Sequence, residues 1–394
     1  MKTRRALVCA PKMPEFDREG GSRRVFHLIG FLVEAGWAVS FVAENARGGE
    51  RYARALQQMG VATYAGRDPW SDGAASLIAP EVLVSTGAYD LILVAFWDHA
   101  EHYLPLVRAR SPAAKLVVDS IDLHFLRNSR SAFCRREGGE GRAVVGLGPR
   151  NGNEWARELN VYASADAVLT VSQKEADLID DFTAGAARAY AVPDTEDLPA
   201  SDIPFDRRRG ILFVGNFRHP PNVQAAEYLC RDVLPRLDPS VLAAHPVHVV
   251  GNGITGQVVG YGAGLDNVRM IGWVPSVLPY LHRARISVTP LLYGAGTKRK
   301  LMQSMMVGTP AVSTGIGVEG LGLEDDRQVL VADDPETFAG AMERLLTDEG
   351  LWHRLARCGR GHVLAAHGRE AVGARFAAVL SSIMEGPAGD AVAK

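Results

Sequence analysis

The stretch YGAGTKRKLMQSMMVGTP, from Tyr293 to Pro310, places three cations at the predicted start of a short helix. Thr297 is a suitable N-cap and Gly308 a suitable stop, so we predict a helix over 298–307. Its first turn then carries the run KRK, although a helix N-terminus already bears a charge of roughly +0.5. A bound anion would offset this repulsion. The alternative is a helix start that is unfavourable and simply solvated.

The two faces of this helix are predicted to differ in role. At about 100° per residue, side chains three and four positions apart share a face. The apolar arc, which we expect to pack, consists of Leu301, Met302, Met305 and Met306. The polar arc, which we expect to face a ligand, consists of Arg299, Lys300, Gln303 and Ser304.

The bulk composition indicates a globular protein large enough for two domains. The chain has 394 residues, 47% of them hydrophobic, and a formal net charge of -2. This charge balance gives no reason to expect nucleic-acid binding. Four dispersed cysteines without a C-x-x-C pair suit a reducing, cytoplasmic setting, and no apolar run reaches the ~18 residues of a membrane helix. Peripheral membrane contact stays open.

Short apolar runs alternate with helix-length segments in both halves of the chain. The predicted strands of the first half are 6–10, 38–43, 61–64, 91–96, 116–118, 167–171 and 189–192. Those of the second half are 211–214, 247–250, 268–271, 286–290, 311–313 and 329–331. This rhythm predicts two doubly wound parallel sheets with ligands beyond the carboxyl ends of the strands. A polar linker is predicted over 193–209, and 351–384 is predicted to be helical before a frayed tail.

Two further segments follow predicted strands and carry candidate site residues. Gly20 and Gly21 precede Ser22, a predicted N-cap whose helix has Arg23 and Arg24 in its first turn and is therefore a second candidate anion site. A glycine pair permits close backbone approach to a phosphate or sugar, although most such pairs are only turns. In DSIDLHFLRNSR, His124 is either a site residue or a hydrogen-bonded structural histidine. The aperiodic segment 135–154 is predicted to be a mobile loop that covers an acceptor site or is merely disordered.

Four motifs, GGSRR, DLHFLR, FVGNFRHPPN and GAGTKRKLMQSMMVGTPAVSTGIGVEGL, occur in that order, and the chain resembles bacterial retaining glycosyltransferases of family 4. The resemblance implies the GT-B fold, an α/β architecture of two facing Rossmann-like domains with parallel sheets and a C-terminal helix that crosses back. On this basis we predict an acceptor-side domain over 1–205, joined by a helix at about 366–385. The donor-side domain is then predicted over 206–365.

The resemblance also implies a hexosyltransferase-type activity that retains the anomeric configuration. The donor would be a nucleotide-diphosphate sugar, which is a co-substrate, and neither a cofactor nor a metal would be required. The chain has no D-x-D pair, the motif with which metal-dependent sugar transferases hold a cation, so the residues agree with metal independence. The acceptor is left open among small molecules, glycans and lipid-linked glycans. The donor sugar and its base are equally open.

The resemblance implies a set of site residues. In the catalytic role, His124 would meet the donor sugar, and Lys300 and Arg218 would bind the diphosphate and stabilise the charge that develops on the leaving group. The glycine loop would approach the diphosphate and sugar, the turn 294–297 would present N–H groups, and the backbone near 274 would meet the base. The donor-binding residues are thus Gly20, Gly21, Asn216, Val274, Gly294, Ala295, Gly296, Thr297, Lys298 and Gln303.

Two positions depart from the family pattern of glutamates eight residues apart. Ala295 stands where the family has the glutamate that touches the donor sugar, and Gln303 where it has the glutamate that accepts hydrogen bonds from ribose. A glutamine carbonyl can still accept such bonds, though without charge. After the first strand of the second half, Asn216 and Pro221 replace the family's Arg and Lys, and Arg218 is the substitute.

Three other functions are compatible with parts of the pattern. A degenerate, non-catalytic binder of nucleotide sugars would explain Ala295 and Gln303, and Gln303→Glu would then restore activity. A nucleotide-sugar 2-epimerase would share the architecture and form product without an acceptor. A dinucleotide-dependent oxidoreductase is disfavoured because no G-x-G-x-x-G follows the first predicted strand.

Overall fold

The computed structural model describes residues 3–68, 76–133 and 149–385. These residues divide into two compact units. The N-terminal unit comprises 3–68, 76–129, 149–195 and 372–385, and the C-terminal unit comprises 130–133 and 196–371. The domain ranges predicted from the sequence stay a prediction. The predicted frayed tail and most of the predicted mobile loop lie outside the described residues.

The N-terminal unit is built on an eight-stranded sheet in the order β4-β3-β2-β1-β5-β6-β7-β8, in which every neighbouring pair is parallel. Its strands are β1 Arg5–Lys12, β2 Ala38–Asn45, β3 Ala62–Asp68, β4 Ser76–Leu77, β5 Leu91–Ala95, β6 Lys115–Asp119, β7 Ala167–Thr170 and β8 Ala189–Ala191. Its helices are α1 Gly20–Glu34, α2 Glu50–Gln58, α3 Pro80–Thr86, α4 Trp97–Arg110, α5 His124–Phe133, α6 Pro149–Ser164 and α7 Gln173–Thr183, and α5 ends in the other unit.

The C-terminal unit has a six-stranded parallel sheet in the order β11-β10-β9-β12-β13-β14. Its strands are β9 Ile211–Val214, β10 Val247–Val250, β11 Val268–Gly272, β12 Ile286–Thr289, β13 Ala311–Ser313 and β14 Leu330–Val331. Its helices are α8 Pro220–Tyr228, α9 Pro239–Ala244, α10 Gly256–Tyr261, α11 Leu278–Arg283, α12 Arg299–Met306, α13 Gly315–Val318, α14 Pro335–Thr347 and α15 Glu349–His367. Single 3-10 or π turns occur at Phe205–Arg207, Leu229–Val233 and Leu234–Arg236.

A last helix, α16 Arg369–Glu385, follows the C-terminal unit in sequence but packs in the core of the N-terminal unit. Its buried residues Val372, Phe376 and Leu380 join the cluster that covers one face of the eight-stranded sheet. The predicted helical tail is interrupted at Gly368, where a Cβ would lie 2.4 Å from the carbonyl oxygen of Leu364. Only glycine fits this break, which the hydrophobic periodicity did not reveal.

The predicted strands are all present, because fully apolar runs such as LILVA are what a parallel sheet covered on both faces requires. The two-residue strand β4 was not predicted, since a run so short has no periodicity. The predicted loop over 135–154 was wrong at 149–154, where α6 begins with Pro149 at its first position. Trp155, nearly two turns later, packs against Phe125, with ring centres 5.6 Å apart.

Both predicted N-caps of the cation-rich helices were wrong. Helix α1 begins at Gly20 after an N-cap at Glu19, and Ser22 lies buried inside its first turn. Helix α12 begins at Arg299 after an N-cap at Lys298 rather than at Thr297. In neither case does the side chain at the cap accept a hydrogen bond from the helix. These helices therefore start without the side-chain capping that the sequence suggested.

Candidate functional site

In the C-terminal unit, the candidate site residues lie at the point where the strand order reverses. The loops after the adjacent strands β9 and β12 lead to helices on either side of this point, α8 and α12. Such switch points are where doubly wound sheets bind ligands, at the carboxyl ends of the strands. The two motifs that surround Asn216 and Lys300 therefore meet at one edge of one sheet.

The turn before α12 depends on its glycines. Gly294 has a φ of 148° and Gly296 a φ of 67°, so both adopt backbone conformations that other residues rarely tolerate. The ammonium group of Lys298 turns back onto this segment and donates to the carbonyl oxygens of Ala295 and Gly296. Lys298 is only 6% exposed. It thus stabilises the turn from within, and its predicted contact with a diphosphate stays a prediction.

Lys300 is held between two residues of neighbouring elements. Its ammonium group donates a hydrogen bond to the side-chain carbonyl of Asn222 and lies 5.0 Å from the centre of the Phe213 ring. Burial, together with the nearby charge of Lys298, lowers the pKa of Lys300 to about 7. An ammonium group kept in such surroundings favours an anion that restores its charge. This is the electrostatic property expected of a diphosphate-binding lysine.

Asn222 joins the two motifs, and the sequence did not single it out as a site residue. Besides accepting from Lys300, its amide nitrogen donates to the carbonyl oxygen of Asn216 at 2.8 Å. Asn222 sits in the first turn of α8, and Gly215 packs against it so closely that a Cβ there would lie 3.3 Å away. The available sequence clue was an asparagine at the start of a helix directly after a glycine turn.

The turn after β9 presents Arg218 to solvent. Arg218 is exposed, and its backbone N–H donates to the side chain of Asn216 at 3.2 Å. Gly253 packs against it, since a Cβ there would come within 2.7 Å of the Arg218 side chain. Because Arg218 is exposed and its backbone is held by Asn216 and Gly253, its guanidinium group can reach a ligand beyond the edge of the sheet.

The polar arc of α12 differs from the prediction at one residue. Ser304 is fully buried and donates to the carbonyl oxygen of Leu301, so its assignment to the exposed arc was wrong. Arg299 donates to the buried carboxylate of Glu196 at 2.6 Å, and Gln303 donates to the same oxygen at 3.3 Å. The carboxylate of Glu196 thereby neutralises one of the three cations. The apolar arc is buried as predicted, at Leu301, Met302, Met305 and Met306.

The remaining donor-site candidates of the C-terminal unit are Val274, Thr297 and Ala295. Val274 follows β11 and packs partly buried against a cluster that includes Val250 and Leu281. Thr297 and Ala295 are partly buried in the turn before α12. Val274 follows β11, whereas Asn216, Lys300 and the 294–298 turn lie in the segments that follow β9 and β12.

The N-terminal unit contains a pocket at its own switch point, between the ends of β1 and β5. The pocket has a volume of about 320 Å³. Its lining comes from the end of β1, the start of α1 and the loops after β5 and β6: Ala10, Pro11, Lys12, Pro14, Glu19, Ser22, Val25, Phe96, Asp98 and His124. The apolar walls and the few polar groups are typical of a small-molecule site.

Two strained residues flank the glycine loop of α1. Phe96, with a φ of 70°, follows β5, and Ile121, with a φ of 63°, follows β6. Such values are rare for bulky or β-branched residues and cluster at functional sites. A Cβ on Gly21 would lie 3.1 Å from the side chain of Ile121 and 3.5 Å from that of Phe96. Gly21 is thus needed for the close packing of these loops, and Gly20 begins the helix beside it.

His124 lies at the start of α5 with its side chain 20% exposed at the pocket. Its Nε2 is 3.4 Å from the carboxylate of Asp122. Burial alone would raise the pKa of Asp122, but the hydrogen bond with His124 and the charge of Arg127 lower it. The imidazole therefore has an ionised partner that fixes its orientation.

Glu158 supports this histidine through the backbone. Its buried carboxylate accepts from the N–H groups of His124 at 2.9 Å and of Phe125 at 2.8 Å, and so caps α5. Tyr162 donates to the same carboxylate at 3.0 Å. Burial raises the pKa of Glu158 to about 7. This distant cap could not be predicted from the sequence, because Glu158 lies 34 residues further along the chain than His124.

Comparisons with known proteins agree with this arrangement. Residues 208–348 match the family model described as glycosyl transferases group 1. No curated protein sequence matches the chain significantly. Among solved structures, sucrose-phosphate synthase from Thermosynechococcus elongatus superimposes with a TM-score of 0.71 at 18% identity, covering 96% of this chain and 98% of that one. The chain is a GT-B glycosyltransferase.

Two other structures share the fold of this glycosyltransferase. HepE from Anabaena, in complex with UDP and glucose, has a TM-score of 0.67 at 14% identity, with 95% and 99% of the two chains covered. WaaG, a glycosyltransferase involved in lipopolysaccharide biosynthesis, has a TM-score of 0.63 at 13% identity, with 96% and 100% covered. The predicted two-domain GT-B fold is confirmed.

One predicted feature of the glycosyltransferase needs correction. Arg24, in the first turn of α1, was interpreted as part of a second anion site. Instead, Arg24 is 5% exposed and donates to the buried carboxylate of Asp119 at 2.8 Å, to the carbonyl oxygen of Val192 at 2.7 Å and to Asp194 at 3.3 Å. Its charge serves to join α1 to the ends of β6 and β8.

Over 3–68, 76–133 and 149–385, no helix combines the length and apolar character needed to cross a bilayer. Within the same residues, no group of three or more histidine, cysteine or acidic side chains is placed to hold a metal ion.

Proposed function

We propose that this glycosyltransferase moves a sugar from a nucleoside-diphosphate sugar to a hydroxylated acceptor, with retention of configuration and without a metal ion, as in family 4. The observation that carries the proposal is the position of Lys300 at the switch point of the C-terminal sheet. There it is held by Asn222 and Phe213 beside the glycine turn 294–297. A partly buried cation next to strained glycines suits the diphosphate of a donor.

The leaving group of the reaction is a nucleoside diphosphate, so negative charge develops on its β-phosphate as the glycosidic bond breaks. The ammonium group of Lys300 and the guanidinium group of Arg218 stabilise that charge, and the N–H groups of the 294–297 turn add dipoles. These two cations supply the positive charge that a metal ion provides in other sugar transferases. Each is expected to contribute about 3 kcal/mol to the transition state.

The nucleoside is bound by the remaining predicted residues. The carbonyl of Gln303 accepts from ribose, and the backbone at Val274 meets the base. Uracil is the first base to test, because the solved structure of HepE contains UDP. Asn216 does not itself need to touch the donor, since it supports Asn222 and Arg218.

The pocket of the N-terminal unit binds the reacting end of the acceptor or the donor sugar. His124 and Asp98 offer hydrogen-bonding groups there, beside Glu19 and Ser22 at the start of α1. A volume of about 320 Å³ accommodates one or two sugar rings or a molecule of similar size. Small molecules, glycans and lipid-linked glycans remain the acceptor classes. The cytoplasmic location and peripheral membrane contact predicted from the sequence stay predictions.

The test is a transfer screen with purified protein, common UDP, GDP, ADP and dTDP sugars, and acceptors of the three classes, with and without EDTA. We expect an acceptor-dependent product whose anomeric configuration, read by NMR, equals that of the donor, at a rate that EDTA leaves unchanged. Nucleotide binding without turnover would instead identify a non-catalytic binder. A product formed without acceptor would identify an epimerase, and an inverted product would refute retention.

A further inference from the structure

We propose that Glu196 is a positioning residue for the donor site, which holds the amide of Gln303 so that its carbonyl oxygen faces the ribose. The proposal rests on the proposed function, because it concerns the nucleoside of the same donor. It assigns a role to a residue outside every motif of the sequence. It also accounts for the glutamine at 303, which departs from the family pattern.

Glu196 lies at the start of the C-terminal unit and is 1% exposed. Its backbone N–H donates to the carbonyl oxygen of His367, which fixes it next to the end of α15. Its Oε1 accepts from Nε of Arg299 at 2.6 Å and from Nε2 of Gln303 at 3.3 Å. One carboxylate oxygen thus receives two side chains from successive turns of α12.

The chemistry of the two groups decides which way the amide points. An ionised carboxylate can only accept hydrogen bonds, so Gln303 has to direct its NH₂ group toward Glu196. The carbonyl oxygen of Gln303 sits on the other branch of the planar amide and is therefore turned away from Glu196. Gln303 is partly exposed, so this oxygen can accept from a ligand hydroxyl.

The charges explain why residue 303 is not a glutamate. A carboxylate at 303 would lie at hydrogen-bond distance from the buried carboxylate of Glu196. Keeping both of these groups ionised would cost free energy, because like charges repel. Arg299 already pairs with Glu196, so the charge of Arg299 would then be shared between two anions. In this arrangement the negative charge near the ribose belongs to Glu196 and not to residue 303. The neutral amide of Gln303 takes its orientation from Glu196.

The test compares nucleoside diphosphates with their deoxy analogues by isothermal titration calorimetry. UDP, ADP and GDP are each titrated alongside the 2′-deoxy and 3′-deoxy forms, and the readout is the ratio of ribo to deoxy affinity. The proteins are the wild type, Glu196→Gln, Gln303→Glu, the double variant Glu196→Gln/Gln303→Glu, and Gln303→Leu. Glu336→Gln, an exposed change in the same unit, is the matched control.

We expect the wild type and the control to prefer the ribonucleotide about tenfold, the scale of one well-placed hydrogen bond. Glu196→Gln should lose most of this preference. A glutamine at 196 can donate as well as accept, so it no longer fixes the direction in which the amide of Gln303 points. Gln303→Leu should lose it while keeping diphosphate binding. Gln303→Glu should lower the preference, because its carboxylate adjoins that of Glu196. The double variant should regain the preference, because a glutamine at 196 can donate a hydrogen bond to the carboxylate at 303.

Three results separate the possible failures. If Glu196→Gln folds, by circular dichroism and melting temperature, and keeps the full ribose preference, the positioning role is refuted. If Glu196→Gln does not fold, the comparison of Gln303→Glu with the double variant decides, and equal preference in these two refutes the proposal. If the wild type binds none of the three nucleotides, the proposed function itself fails.

Discussion

The ammonium group of Lys300 lies 5.0 Å from the centre of the Phe213 ring, in a position where burial holds its pKa at about 7. The folded protein therefore contains a lysine that loses its proton near neutral pH. Binding of a diphosphate next to it favours the charged form. Donor binding and proton uptake should consequently be coupled at this residue.

The affinity for a nucleoside diphosphate is predicted to fall as the pH rises from about 7 to 8.5. Below pH 7 the ammonium group is already charged. Above pH 7 Lys300 has to take up a proton from solution when the ligand binds, which lowers the affinity by up to about tenfold per pH unit. Lys300→Arg should bind with no such dependence, because arginine stays charged. Calorimetry in buffers of different ionisation enthalpy measures the proton uptake, and its absence at pH 8 would contradict the prediction.

Replacing Asn222 by aspartate is predicted to move this pH dependence upward. The new carboxylate would lie at the position of the amide that now accepts from Lys300, so it would raise the pKa of the lysine. It would also weaken binding, because it competes with the diphosphate. Asn222→Leu should weaken binding without an upward shift, and identical pH profiles for the two variants would be inconsistent with the contact.

Lys300→Ala and Arg218→Ala are each predicted to lower the turnover rate about a hundredfold. Both remove charge that stabilises the leaving diphosphate. For the exposed Arg218 the melting temperature should hardly change. Arg207→Ala, another exposed arginine of the same unit, should leave the rate as in the wild type. Full activity in either site variant would withdraw that residue from the donor site.

His124→Ala is predicted to lower turnover strongly and stability only slightly. The side chain contacts Asp122 and the rings of Phe96 and Trp97, while the start of α5 is capped by Glu158 through the backbone. His102→Ala, an exposed histidine on α4, is the control. Transfer assays and thermal melts decide, and a variant that loses stability but not activity would mark His124 as structural.

The stability of the N-terminal unit is predicted to fall as the pH rises from about 4.5 to 7. Glu158 has its pKa raised from 4.5 to about 7, so the folded state binds its proton more tightly than the unfolded state. Its contribution, up to ~3 kcal/mol, is present below pH 4.5 and lost as the pH passes 7.

Glu158→Gln should flatten this slope, which chemical denaturation at several pH values measures. His245 of the other unit, with a pKa lowered to about 4, contributes a slope of opposite sign. The informative quantity is therefore the difference between wild type and variant at each pH. The same slope in both proteins would show that the carboxylate does not titrate in this range.

The sheets could be predicted from the sequence because parallel strands covered on both faces need continuous apolar runs, as at 91–95 and 286–289. The turn 294–297 and Lys300 could be predicted because glycines and clustered cations are conspicuous in one short stretch. The helix starts were predicted less well. At α12, the predicted cap Thr297 was wrong by one residue, since Lys298 occupies that position.

Long-range partners could not be predicted. Arg24 was an anion-site candidate only as long as Asp119, 95 residues away, was not known to lie beside it. Glu196, Asn222 and Glu158 had no pattern of their own, and each acquires its role from a residue that the fold brings to it. The sequence therefore identifies cations that could bind an anion. The fold decides which of them already pair with a carboxylate of the protein.

Helix α16 has a consequence for the order in which the protein is made. Phe376 and Leu380 complete the core of the first unit, yet they are synthesised after the whole of 196–371. On the ribosome, 196–371 can fold as soon as it has emerged, whereas the first unit has to wait with part of its core uncovered. Nascent chains halted before α16 emerges should therefore bind chaperones that recognise exposed apolar surface and release them once the helix has docked.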